Sequence, residues 1–182
     1  MAEHMTEAAK LYCANIGVLE EARRELTVFL DNVWEQCWER VQTVWQAEPY
    51  TQNRQMPTVW KENTPPGRWH VNLRESKIGI EVAVSDPRRS GDHQFYLVRL
   101  STSNTQWKLL SRIDGARAAL GNIAGEIGMQ LSWENPNELA QEKVPVTPED
   151  ASDTAAPLGT MVYNWLVLLV KMDDWMGTQG NR

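Results

Sequence analysis

Cysteine, histidine and long apolar runs are all scarce in this chain of 182 residues. The two cysteines, Cys13 and Cys37, are too few for a disulfide framework, so we expect a reducing compartment, the cytoplasm. The longest apolar run, Trp165 to Val170, is far shorter than the roughly 18–20 residues that cross a bilayer. The N-terminus lacks the charged-then-apolar pattern of a leader, so we expect neither a signal peptide nor a membrane span.

Histidine and cysteine also lack the spacing of a metal site. The histidines lie far apart, at His4, His70 and His93, and neither Cys-x-x-Cys nor His-x-x-x-His occurs. The glycines within 115–128 are not followed by Gly-Lys-Ser/Thr, so no phosphate-binding loop is predicted. Cys37 lies on an apolar helical stripe, where core packing is the expected role, and a cysteine nucleophile would need a histidine nearby. We therefore expect no cofactor, no metal and no catalytic residue.

One tripeptide has the pattern of a nuclease motif. A restriction-type nuclease holds Mg²⁺ with an acidic residue on one strand and a Glu-x-Lys on the next, whose lysine helps to activate water. The only such tripeptide here is Glu75-Ser76-Lys77, which falls on the tip of a predicted hairpin. Glu62 is the only acidic residue between residues 49 and 74. A divergent metal-dependent nuclease is thus an alternative that the pattern does not favour.

Charge is distributed unevenly along the chain, whose overall net charge is −6. Residues 1–49 carry a net charge of −5, residues 50–117 carry +5, and residues 118–182 carry −6. A basic middle segment between acidic ends could form a docking face for an anionic partner. The same segments could instead complement one another within the fold, and both interpretations stay open.

The first part of the chain has the pattern of a long helix. From about Thr6 to Gln46 there is no proline, and apolar residues recur every three or four positions. Beside this first stripe runs a second one that includes three tryptophans, and its members are Leu30, Trp34, Trp38 and Trp45. Gly17 is a poor helix former, so the helix could break there.

Alternating polar and apolar residues predict three strands in the middle of the chain. The three runs lie at 69–73, 78–84 and 95–100, and short connections between them favour an antiparallel meander. Helices are predicted from Asn104 or Thr105 to Ile127 and again from Thr160 to Met172. Between these two helices, residues 134–159 hold four prolines, which predicts an exposed acidic loop.

Together these elements predict an α+β fold. Its parts are a long N-terminal helix, a three- to four-stranded antiparallel sheet, and two further helices packed on that sheet. Residues 1–48 form the helical segment, either part of the same domain or an association arm, and residues 49–182 form the core. We expect a core made of Trp34, Trp38, Trp69, Leu73, Ile80, Val82, Leu97, Ile123, Ile127, Trp133, Trp165 and Leu169.

The stretch from Ile123 to Trp133, IAGEIGMQLSW, resembles a known motif. It has Ile, Ile, Gly, Leu and Trp at the spacing of an uncharacterised bacterial domain often found after a restriction-endonuclease-like nuclease domain. Residues 29–175 follow that family's order of elements, with Trp165 in the last helix, although Ala124 stands where the family prefers Glu. The resemblance implies an accessory domain in restriction or anti-phage systems, and the family offers no catalytic residues to transfer.

Two adjacent apolar stripes on the first helix need cover on more than one side. The last helix could cover them within the chain, and the protein would then be a monomer. Otherwise the helix should bury itself in a second copy or another protein. The lack of a recognisable catalytic site, together with the resemblance of residues 123–133, predicts a non-catalytic accessory or interaction module, whose candidate interface residues are Leu19, Leu26, Leu30, Trp34, Trp38 and Trp45.

Nucleic-acid binding is the alternative function. Five basic residues lie on or beside the predicted hairpins, close to Trp69 and Tyr96, and such groups can hold phosphates and stack bases. These are Arg68, Arg74, Lys77, Arg88 and Arg89. Acidic residues between them, and a sequence pI near 5.1, oppose strong binding.

This alternative makes a testable prediction about salt and charge. If the hairpin arginines bind nucleic acid, the affinity should fall steeply with salt, because each phosphate contact releases counterions. The double variant Arg88→Glu, Arg89→Glu should then lose binding and keep its fold, since both residues lie in a predicted turn. Titration of labelled DNA and RNA at about 50 mM salt measures this, and no binding there would remove the alternative.

Overall fold

In a computed structural model of the chain, the described residues are 5–62, 67–73, 78–85, 94–103, 108, 110, 112–135 and 138–179. They form an α+β fold with three helices and one antiparallel sheet. In chain order the elements are α1 (Glu7–Ala47), β1 (Thr58–Glu62), β2 (Arg68–Asn72), β3 (Ile78–Val84), β4 (Phe95–Thr102), α2 (Ala116–Gly125), β5 (Ala140–Pro145) and α3 (Ala151–Gln179).

Helix α1 is a single continuous helix, so the expected break at Gly17 is wrong. Its first turn is capped by Thr6, whose hydroxyl accepts a hydrogen bond from the Ala9 amide at 3.2 Å. Glycine costs a helix about 1 kcal/mol relative to alanine. Ending the helix and nucleating a second one is also unfavourable, because a new first turn fixes several residues for a single hydrogen bond. The helix therefore continues through Gly17.

The sheet has five strands in the order β1-β2-β3-β4-β5, where three or four were predicted. The three strands expected from alternation are β2, β3 and β4, in the antiparallel meander that was predicted. The two additional strands, β1 and β5, are the edges. Edge strands need less apolar surface than central ones, so their sequences alternate less clearly.

Side chains alternate strictly between the two faces of the central strands. In β3 every second residue from Ile78 to Val84 is buried, and in β4 the buried positions start at Tyr96 and include Val98. Leu97, predicted in the core, points to the other face and is only partly buried. The register pairs it with Ala83 on that outer face, away from the helices. Helices α1 and α3 cover the inner face.

The interval 134–159, expected to be an exposed loop, contains β5 and the beginning of α3. Strand β5 pairs with β4, and Leu100 faces Ala140. Helix α3 begins at Ala151, well before the predicted cap at Thr160, because the Asp150 carboxylate accepts a hydrogen bond from the Ser152 amide at 2.8 Å. Pro157 lies inside this helix, so tertiary packing outweighs the local signal that predicted a loop.

Helix α3 contains the longest apolar stretch among the described helices. By length and composition alone it could cross a membrane, a property that core helices share, and 56% of its most apolar window is buried inside the protein. It packs against α1 most closely at Gly159, where an added Cβ would lie 3.3 Å from the Cys37 carbonyl oxygen. The far end is fixed by Asp174, whose two carboxylate oxygens accept hydrogen bonds from Arg54 at 3.0 and 2.7 Å.

The motif 123–133 spans the end of α2 and the turn after it. Gly128 has φ +75°, and the Met129 amide donates to the Ala124 carbonyl at 3.0 Å, which caps the helix in the way that favours glycine. Ile127, predicted in the core, is exposed, and Trp133 is only partly buried. Ile127 lies in the turn that ends the helix, and the chain after the turn returns to the core at Met129. The predicted start of this helix, at 104–105, lies outside the described residues.

Aromatic side chains join α1 to the sheet. The Trp34 and Trp69 rings are stacked with centroids 5.0 Å apart, and Tyr96 lies beside Trp69. The buried Tyr96 hydroxyl donates to the Leu30 carbonyl at 2.7 Å. Burial raises the pKa of Tyr96 far above its usual range, so the hydroxyl stays protonated and donates. This hydrogen bond and the Trp34–Trp69 stack link α1 to the sheet, and packing against α3 holds the same part of the helix.

We expect Tyr96→Phe to lower the free energy of unfolding by about 1 kcal/mol, the usual net value of a buried hydrogen bond. Urea denaturation followed by tryptophan fluorescence measures the change. Tyr50→Phe is the matched control, because the Tyr50 hydroxyl bonds to Asp174 at the surface, where water can replace it. Equal losses in both variants would contradict the role given to the Tyr96–Leu30 bond.

Candidate interaction surface

The N-terminal half of α1 extends beyond the rest of the fold. Burial in α1 begins at Leu30, whereas every residue from Glu7 to Glu25 is exposed except Ala9, which is partly buried. We call Glu7–Glu25 the arm. At 1.5 Å per residue it is about 28 Å long. The helical segment 1–48 is therefore divided in its role, because its second half belongs to the core and its first half does not.

The arm carries a broad apolar face. At about 100° per residue, the large apolar side chains from Leu11 to Phe29, apart from Val28, lie within a sector of about 160°. Its largest exposed members are Leu11, Tyr12, Ile16, Val18 and Leu19, and Met5, which precedes the N-cap, is exposed as well. Arg23 is the one charged side chain within this sector, and the opposite side carries Glu20, Glu21 and Arg24. The arm is thus an amphipathic helix whose apolar side faces solvent.

The apolar face continues into a groove where the arm meets the sheet. The groove has a volume of about 930 Å³, and it lies between α1 and the segments at 94–95 and 143–148. Leu26 and Phe29 form its helical wall, and Phe95 belongs to its opposite wall. The Lys143 ammonium lies 4.6 Å from the centroid of the Phe95 ring, so a positive charge is held at the rim of the groove.

The six predicted interface residues separate into two groups. Leu19 is 49% exposed and belongs to the arm, and Leu26 is partly buried and lines the groove. The other four lie in the chain's own core, where three are buried and Trp38 is partly buried. They are Leu30, Trp34, Trp38 and Trp45. The expectation that the tryptophan stripe meets a partner is thus corrected, because Trp34 already stacks on Trp69 and the Trp45 indole donates to the Arg54 carbonyl.

Arg68 is the one predicted nucleic-acid contact that the structure describes. It lies on the outer face of the sheet. Its Nη1 is 3.6 Å from a Glu62 carboxylate oxygen and its Nε is 3.7 Å from a Glu81 carboxylate oxygen, so two carboxylates compete with any phosphate for its charge. Glu81 also pairs with Arg99 at 3.3 Å. The other four predicted contacts lie outside the described residues, and they are Arg74, Lys77, Arg88 and Arg89.

An aromatic pair lies on the same outer face. The ring of Trp60, which is half exposed, stacks on His70 with centroids 3.9 Å apart, and the His70 Nε2 lies 3.1 Å from a Glu62 oxygen. The tripeptide Glu75-Ser76-Lys77 lies outside the described residues. Within the part of the chain that the structure describes, no group of three or more His, Cys, Asp and Glu side chains could hold a metal ion.

Cys37 has the environment of a core residue. It is fully buried, and burial raises the pKa of its thiol to about 12. Since the thiolate is the reactive form, this cysteine is inert at neutral pH. Cys13, in contrast, is exposed on the arm.

The groove is the part of this surface that sequence reasoning missed. Its walls join residues far apart in the chain, and no periodicity within a single segment connects Leu26 with Phe95 or Pro145. The exposed arm could have been inferred from the length of the helix, which exceeds what a compact domain of this size needs.

No protein-family model, curated protein or solved structure matches the chain. The resemblance of residues 123–133 to a restriction-associated domain therefore stays a hypothesis.

The two cysteines report separately on the arm and on the core. In the folded protein at neutral pH, we expect a chromogenic disulfide reagent to label one thiol rapidly and the second only in denaturant, because Cys13 is exposed and Cys37 is buried. Cys13→Ser should remove the rapid phase alone. Two rapid thiols in the folded protein would show that the second half of α1 is not packed as described.

Proposed function

We propose that the protein is a non-catalytic protein-interaction module whose binding element is the arm. The observation that carries this proposal is the exposed apolar face of Glu7–Glu25, which continues directly from the buried stripe of the same helix. An exposed apolar surface of this extent is typical of a protein-binding site.

Energetics support a bound state for the arm. Isolated helices of this length are marginally stable in water, so a partner that covers the apolar face also stabilises the helix. Burying a large apolar side chain is worth roughly 1.5–3 kcal/mol, so completing the burial of six half-exposed ones supplies roughly 5–9 kcal/mol. Association costs roughly 4–15 kcal/mol, so a stable complex needs additional contact surface, such as the groove.

The class of partner follows from the resemblance of residues 123–133. That resemblance supports a component of a bacterial or phage-encoded restriction or anti-phage system, with the cytoplasm as the compartment. An accessory role in such a system agrees with an exposed amphipathic arm and with the absence of a recognisable catalytic motif in the sequence.

Nucleic-acid binding receives less support than protein binding. Arg68 is already paired with two carboxylates, and the chain carries a net charge of −6. The apolar face of the arm, with one arginine in its sector, is unsuited to phosphates, because each contact to a phosphate requires a positive or hydrogen-bonding group.

Site-specific photo-crosslinking in cells that naturally produce the protein tests the proposal. A photoreactive amino acid at Leu19, on the apolar face, should give a covalent adduct with a protein, either this chain or another. The same amino acid at Glu21, on the opposite face and also exposed, is the matched control and should give much less adduct. Equal labelling from the two positions, or none from either, would contradict an interaction through the apolar face.

A further inference from the structure

Strand β5 is an edge of the sheet, and its outer side carries unpaired backbone groups. The Val146 amide donates to the Gln94 carbonyl at 3.0 Å, so in the β4–β5 register the even-numbered residues of β5 direct their backbone groups toward β4. The odd-numbered residues direct theirs away from the sheet. Among the described residues, no hydrogen bond reaches the backbone groups of Gln141 and Lys143 or the carbonyl of Pro145.

This unpaired edge begins where the chain's own cover ends. The Leu139 carbonyl accepts a hydrogen bond from the Ser132 amide at 2.7 Å, so the segment before β5 occupies the edge at that point. The side chains of residues 141–143 are all exposed. An extended peptide is the ligand that matches such a row of groups, because its own amides and carbonyls repeat at the same spacing.

The groove lies at one end of the unpaired edge. Lys143 and Pro145 carry part of this edge, and both also line the groove, together with Phe95 and the α1 residues Leu26 and Phe29. A peptide paired with β5 therefore brings the side chain opposite Pro145 to the groove, whose walls favour an apolar group. Because alternate side chains of a strand share a face, this residue lies two positions from the one opposite Lys143.

Charge selects the residue opposite Lys143. The Lys143 ammonium contacts the Phe95 ring, and no carboxylate of the described residues forms an ion pair with it. Opposite charges directly across a pair of strands stabilise the pairing, and like charges destabilise it. An acidic side chain opposite Lys143 is therefore favoured.

A second copy of β5 is a poor occupant of this edge. In an antiparallel pair of two β5 strands, Gln141 and Lys143 can both form hydrogen bonds in two registers. One register opposes the two Glu142 side chains. The other opposes the two Lys143 side chains and sets Gln141 against Pro145, which has no amide proton. Both registers place like charges opposite each other, so a segment of a different protein fits the edge better.

We propose that the outer edge of β5 binds an extended segment of another protein by strand addition. The segment places an acidic residue opposite Lys143 and a large apolar residue, two positions away, in the groove. This edge is a second binding element that does not depend on the arm. The inference goes beyond the proposed function, because it specifies the conformation and the side chains of the bound segment.

Selection from a random peptide library displayed on phage, with the purified full-length chain as bait, tests the side chains of this segment. We expect the enriched peptides to share an acidic residue two positions from a large apolar one. They should bind the Lys143→Glu variant more weakly, because the reversed charge repels the acid. Arg24→Glu, which makes the same change on the polar side of α1, is the matched control. No enrichment, or equal binding to the two variants, would overturn the inference.

Gln141→Pro tests the contribution of the backbone. The Gln141 amide points away from β4, so proline removes a donor of the free edge and leaves the hydrogen bonds to β4 in place. We expect the dissociation constant of an enriched peptide to rise about fivefold, the usual net effect of one hydrogen bond. Gln141→Thr keeps the amide and should bind as the unmodified chain does. Slow labelling of Cys37 shows that both variants are folded, and equal affinities would overturn strand addition.

Amide hydrogen exchange followed by NMR tests whether the edge is free and where the peptide binds. In the chain alone, the amides of Gln141 and Lys143 should exchange faster than those of Glu142 and Val144, and an enriched peptide should slow the first two. Slow exchange at Gln141 and Lys143 without peptide would show that the chain itself covers this edge, which would overturn the inference.

These tests separate the edge of β5 from the arm. A photo-adduct from Leu19 without peptide binding at β5 would overturn strand addition and leave the arm as the binding element. Peptide binding at β5 without an adduct from Leu19 would support strand addition and contradict the role of the arm.

Discussion

The hydrogen bond from Tyr96 to the Leu30 carbonyl, with the Trp34–Trp69 stack beside it, sets the position of α1 on the sheet. A helix is rigid along its axis and rises 1.5 Å per residue, so fixing one turn fixes every other turn. Burial begins at Leu30, and everything before about Leu26 extends past the sheet. The extent of the exposed arm therefore follows from where α1 is docked on the sheet and on α3.

A single apolar stripe on α1 has two environments. From Leu30 onward the stripe is covered by the sheet and by α3, which approaches closely because Gly159 has no side chain. Before Leu26 the stripe faces solvent. The arm cannot fold back to cover itself, because α1 runs without a break through Gly17 and its first turn is capped by Thr6. Among the described residues, nothing buries the arm beyond the partial cover of Ala9, and the groove next to Leu26 adjoins its apolar face.

Sequence patterns predicted the elements whose side chains alternate or recur clearly. Periodicity predicted strands β2, β3 and β4 and the extent of α1. Each of these elements buries one face, so apolar residues recur in it at regular spacing. Edge strands β1 and β5 were missed, since paired backbone groups rather than alternating side chains stabilise them. The start of α3 was missed because its cap is Asp150 and its proline, Pro157, resembles a loop signal. Of the predicted interface residues, Leu19 is exposed and Leu26 is partly buried, whereas Leu30, Trp34 and Trp45 are buried in the core.

The sequence by itself determined the α+β class, the long amphipathic first helix and the burial of Cys37, because each depends on residue types at short spacing. The tertiary structure decided which part of the apolar stripe is covered, since that depends on where the sheet and α3 pack against α1. The tertiary structure also forms the groove, because it brings Leu26 and Phe95 into the same cavity. Contacts between residues so far apart depend on the register of strands and the docking of helices, and short-range periodicity contains neither.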